Sequence, residues 1–125
     1  MQIDKDLNSD YAELFLDVRT YITLKVEEFS TKLLEKYSDN ITTLYTKEFS
    51  SAFCYIRVKE NHVHIGWFNG AKIVDKPGLF LGNGKHIRGH KIYTLDTLSK
   101  EAIGYYVQES YYRLVEKEAI KEMRK

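Results

Sequence analysis

A chain of 125 residues with 19 Lys and Arg against 18 Asp and Glu carries a formal charge of +1, which argues against a general nucleic-acid binder. Its 43% apolar and 30% charged residues fit one globular domain spanning 1–125, with no apolar run near the ~18 residues of a membrane span. Cys54 is the only cysteine, so an intramolecular disulfide and a cysteine-rich metal site are excluded. With no secretory leader pattern, a reducing cytoplasm is the expected setting.

The charge is unevenly spread. Residues 1–40 hold nine acids and five bases, residues 41–95 three acids and eight bases, and residues 96–125 six of each. Two readings follow. Either helices have mixed solvated faces and strands are edged with Lys, or the middle of the chain contributes a basic face.

The first element is a helix entered after Asn8 or Ser9, both good N-caps. Tyr11, Leu14, Phe15, Val18, Ile22, Val26, Phe29, Leu33 and Tyr37 recur in steps of three and four, one stripe of an amphipathic helix. That stripe is long for one helix, and Thr20 and Thr23 weaken its middle, so a bend near 18–23 is an alternative. Ser38-Asp39-Asn40 ends it. Asp10, Glu13 and Asp17, with Asp6 upstream, stack along the other side. They read either as an oxygen-rich ridge for a hard cation or as a solvated face near the positive end of the helix dipole.

Strand-like runs follow at Ile41–Thr46, Ala52–Lys59 and His62–Phe68, the last two joined by Glu60-Asn61 as a tight hairpin. Val63, Ile65 and Trp67 share one face, assigned to the core, while His62, His64 and Phe68 share the other. A long loop then carries the only Pro and several glycines, before a fourth strand at about His86–Tyr93. A last helix begins after Thr97 or Ser99 and buries Ile103, Val107, Ser110, Tyr111, Leu114 and Val115. Gly104 inside it predicts close packing, and the charged tail KEAIKEMRK predicts fraying. The expected fold is α+β: an antiparallel sheet of about four strands, with the N-terminal helical region and the C-terminal helix on one face.

The loop GLFLGNGK (78–85) is not a phosphate loop. Five residues rather than four separate Gly78 from Gly84, and His86 stands where a metal-holding hydroxyl belongs. Gly82, Asn83 and Gly84 could still present backbone N–H groups to an anion, with Lys85 and Arg88 adding charge. The alternative is a loop that only turns, with Arg88 paired to a carboxylate such as Asp75. His62 and His64 on one strand and His86 and His90 on another could converge on a metal such as zinc. Cys54 on an apolar face lacks an activating partner. Tyr55, Arg57, Lys59 and His64 offer rings and bases on a sheet face, as single-strand binders use, but no RNP-type motif is present. No base–nucleophile pair is visible, so the leading expectation is a non-enzymatic binding module for a small anion or a protein partner.

The segment from His62 to Leu98 resembles the YdhG-like domain family, whose function is not established. The resemblance rests on Phe68-Asn69-Gly70, on Asp75 with Pro77-Gly78-Leu79, and on Gly82-Asn83-Gly84-Lys85 with Arg88. Lys76 between Asp75 and Pro77, and Gly89-His90 after Arg88, depart from the family pattern. What it implies is a compact α+β fold, sometimes compared with frataxin, and no established enzyme activity. Some relatives are described as frataxin-like iron chaperones; for that role only Asp10, Glu13 and Asp17, with Asp6, would supply an acidic surface here.

Overall fold

The computed structural model describes residues 11–29, 31–38, 41–49 and 51–124. In chain order they form helix α1 (Ala12–Glu27) and strands β1 (Leu34–Ser38), β2 (Ile41–Tyr45), β3 (Cys54–Val58) and β4 (Val63–Trp67). A single 3-10 turn at Gly70–Lys72, strand β5 (Arg88–Ile92) and helix α2 (Thr97–Met123) complete the chain. The strands build one antiparallel sheet in sequence order, each paired with the next. The two helices pack on each other and on one sheet face. This is the expected α+β architecture with five strands in place of about four.

The extra strand comes from the end of the expected helix. Phe15, Val18, Ile22 and Val26 are fully buried along α1, as their spacing requires, but the helix stops at Glu27. Leu33 and Tyr37 continue the helical spacing by coincidence. LEKYS instead extends as β1 and pairs residue for residue with β2, from Leu34↔Tyr45 to Ser38↔Ile41. Leu, Glu and Lys favour helix only by tenths of a kcal/mol each, and a five-residue ladder outweighs that. Arg19 of α1 binds the Glu35 carboxylate through Nε and Nη2, fastening the helix over the new strand. The predicted caps Asn8 and Ser9, the carboxylates of Asp6 and Asp10, and the terminators Asp39 and Asn40 lie outside the described residues.

Alternation along β3 and β4 sends Cys54, Ile56, Val63, Ile65 and Trp67 into the core at zero exposure. From the other side α2 contributes Ala102, Ile103, Tyr106, Val107, Ser110 and Leu114. Tyr106 was absent from the expected stripe, and Val115, which was in it, is 42% exposed. The stripe is centred one residue earlier than the sequence suggested. Asp96 caps this helix through Oδ1, accepting from the Ser99 N–H at 2.8 Å. Helix continues through the charged tail to Met123 rather than fraying; ion pairs Arg113–Glu116 and Lys121–Glu118 run along it.

Gly104 meets less than expected. A Cβ there would touch only the Lys25 stem, at 3.7 Å from Cε and 4.0 Å from Cδ, which is ordinary contact. Gly104→Ala therefore stabilises the fold by about 1 kcal/mol through helix propensity. Urea unfolding checks this, and a variant no more stable than the parent contradicts it.

Candidate functional site

The segment between β4 and β5 is held in one shape by a single carboxylate. Asp75 accepts from the Gly78 N–H at 2.9 Å and the Phe80 N–H at 3.0 Å, and from the Tyr106 hydroxyl at 2.5 Å. Gly78 sits at φ +75°, where a side chain would be strained. Tyr106 stacks on Phe80 with centroids 4.1 Å apart, and its oxygen also receives the Leu79 N–H at 3.3 Å. Burial pushes the Asp75 carboxyl up, but the Tyr106 hydroxyl and the loop N–H groups outweigh it and hold its pKa below the ordinary value. Burial and the bond to Asp75 raise the Tyr106 phenol. The Asp75–Arg88 pair considered from sequence does not form.

Arg88 instead turns onto its own loop. Its Nη1 donates to the Gly84 carbonyl and, at 3.2 Å, to that of Ile87. The guanidinium thus closes the Gly82–Arg88 turn rather than presenting a free fork to a ligand. Gly82, at φ +93°, and Asn83, Gly84 and Lys85 are all exposed. Leu81 and Gly89 exchange two backbone hydrogen bonds of 2.9 Å across the base of this turn. These bonds give the loop a defined shape, with Arg88 spent on the shaping.

Beside that turn lies a cavity of about 380 Å³ whose polar lining consists of Ser51, Asn69, Lys72, His86 and Lys117, with Ala52 and Phe68 between them. None of these residues is acidic. Four separate stretches supply them: the β2–β3 connection, the end of β4 with the 3-10 turn, the glycine loop, and the last third of α2. The Ala71 N–H holds the His86 carbonyl at 2.9 Å, fixing the loop against the turn. Lys117 Nζ donates to Ser51 Oγ at 3.1 Å. Asn69 is only 7% exposed, and its amide Nδ2 has no acceptor among the described residues. A buried amide donor without a partner costs on the order of 1–3 kcal/mol. Sequence reading missed this site. Its one legible signal was the cluster of Lys72, Lys85, His86 and Arg88 around the loop.

The four histidines do not converge. His64 lies on the sheet face away from the helices, over Gly89, whereas His90 faces the core at 1% exposure against the edge of the Tyr106 ring. His62 pairs its Nδ1 with Asn61 Oδ1 at 2.9 Å. Neighbouring strands bring His64 and His90 close in register, but on opposite sides of the sheet. Among the described residues no three His, Cys, Asp or Glu side chains are grouped for a metal. Glu13 and Asp17 are exposed and line one shallow groove with Tyr93, Thr94 and Leu95; Asp10, their intended companion, lies outside the described residues. Cys54 is fully buried and burial raises its thiol pKa strongly, which leaves it an inert core residue. No described helix is long and apolar enough to cross a membrane. Comparison of the chain with protein-family models, with curated proteins and with solved structures finds no match.

Proposed function

We propose that this chain is a non-enzymatic binding module that takes an anionic group, a carboxylate or a phosphate, in the cavity between the glycine loop and α2. The observation that carries the reading is a polar wall without a carboxylate: the ammonium groups of Lys72 and Lys117 beside Ser51, Asn69 and His86. Charged donors gathered without a counter-charge are stabilised most by an anion that can accept several of their hydrogen bonds. On this reading the Gly82–Arg88 turn is scaffold. It positions His86 and leaves Lys85 as an outer, solvated charge. The resemblance to the YdhG-like family belongs to the same proposal and rests on residues between Phe68 and Arg88.

Titration with inorganic phosphate and with citrate, followed by amide NMR shifts, tests the site. Saturable shifts are expected at Ser51, Asn69, Lys72 and Lys117. Lys72→Gln and Lys117→Gln should each weaken binding roughly tenfold, the weight of one charge-assisted hydrogen bond. Lys85→Gln should change little. Binding abolished by Lys85→Gln but indifferent to Lys117→Gln would move the site to the loop itself, and no saturable binding would sink the reading.

A second reading has one observation behind it. Glu13 and Asp17 line one groove, which supports a reading in which α1 carboxylates hold iron as a frataxin-like chaperone would. Anaerobic Fe(II) titration should then broaden the amides of residues 13–17 selectively. Uniform spectra would remove this reading.

A further inference from the structure

The sheet face turned away from the helices gathers cations and rings. Strand register places Lys36, Thr43, Tyr55, Gly66 and Gly89 in one row across all five strands. The next row on that face holds Arg57, His64 and Lys91, and Lys59 follows Arg57 two residues on. No carboxylate stands in either row. The chain's modest net charge therefore hides a local excess: Lys36, Arg57, Lys59 and Lys91 share this face with no acid in its two rows.

Two glycines shape the middle of the face. A Cβ on Gly66 would come within 2.2 Å of the Tyr55 ring, and one on Gly89 within 2.8 Å of the His64 ring. Each ring therefore lies over a backbone position that only glycine leaves clear. Tyr55 and His64 centroids are 5.7 Å apart, and Phe68 is 5.7 Å from Tyr55. The result is a patch of three neighbouring rings flanked by cations. The local potential shows in His64 itself, whose pKa falls to about 4 through burial first, then through Lys59, His62, Arg57 and Lys91. No acid offsets them.

We propose that this face binds single-stranded nucleic acid, with bases stacked on Tyr55, His64 and Phe68 and phosphates held by Lys36, Arg57, Lys59 and Lys91. From β1 to β5 the sheet spans about 19 Å, four strand spacings, room for two or three bases laid across it. Stacking is tolerant of sequence, because every base has a π-face, and cations beside the rings track the backbone. An acidic peptide would satisfy the cations but would leave the ring patch unused. A duplex would shield its bases from the rings. The charge complementarity and the rings together select an unpaired strand.

Fluorescence anisotropy with end-labelled oligouridylate and oligothymidylate decides the matter. Affinity should fall as salt rises from about 50 to about 200 mM, and the double variant Lys36→Gln/Lys91→Gln should flatten the log–log slope by roughly 1.4, about 0.7 for each lost phosphate contact. Tyr55→Leu should weaken binding roughly tenfold and leave that slope unchanged, as loss of one stacking platform does. Phe68→Leu supplies the same readout should Tyr55→Leu fail to fold. Any of three results overturns the proposal: no binding at low salt, poly-glutamate bound as tightly as the oligonucleotides, or affinity indifferent to both ring variants. Oligonucleotide binding lost in Lys117→Gln but intact in Lys36→Gln/Lys91→Gln would overturn it as well, by placing the strand at the cavity.

Discussion

Acidifying the protein from pH 7 to pH 5 lowers its unfolding free energy by on the order of 2 kcal/mol through His90, and His90→Leu removes that contribution. His90 is 1% exposed, and neither ring nitrogen has a hydrogen-bond partner among the described residues. Burial holds its folded pKa down to about 4, against 6.5 for the free side chain; Asp75 pulls it back upward and His64 presses it slightly lower. Between those two values the unfolded chain binds a proton that the folded chain refuses. Stability is thus complete above pH 6.5 and is lost as pH falls toward 4. His64 contributes in the same direction, with its pKa also lowered to about 4. Urea unfolding of parent and His90→Leu at both pH values provides the check. A variant that loses stability as steeply as the parent rules His90 out as the source.

Asp75→Ala costs about 3 kcal/mol, because it orphans two backbone N–H groups and a buried phenol at once. The Gly78 and Phe80 amides and the Tyr106 hydroxyl all donate to this one carboxylate. Hydrogen exchange should quicken first at Gly78 and Phe80 while the β3–β4 ladder keeps its protection. Asp75→Asn, which keeps one acceptor oxygen, should lose less. The acid window of Asp75 is separate from that of His90. Its pKa lies below the ordinary 3.8, so the stability it contributes is present above 3.8 and disappears only as pH drops through the lowered value. An Asp75→Ala protein within 0.5 kcal/mol of the parent would show that the loop is held by other means.

The element order, β2 to β5 and the core face of Val63, Ile65 and Trp67 were legible because alternation and helical periodicity report burial directly. β1 was not, since Leu34, Glu35, Lys36 and Tyr37 carry helical spacing and helical propensity; only the partner strand, distant information to a local pattern, makes them extended. Tyr106 was passed over because a phenol at an apolar position needs a buried acceptor, and Asp75 stands 31 residues away. The glycines mark the Gly82–Arg88 loop in the sequence, but no spacing shows that the Arg88 guanidinium turns back onto the Gly84 and Ile87 carbonyls. The cavity escaped for a similar reason. Its lining comes from four stretches that no spacing rule connects.

The paired bonds between Leu81 and Gly89 also bear on how the molecule meets its own copies. A five-strand meander has two outer strands, and each could template a foreign one. On β5 the outward N–H and C=O of Gly89 are already taken by Leu81, and the next outward pair belongs to Lys91, whose charge discourages an incoming strand. At the opposite margin β1 is five residues long, and Glu35 and Lys36 stand at its centre. The glycine loop is thus a stopper as well as a scaffold: shortening it would uncover Gly89 and leave one side of the sheet open to polymerisation.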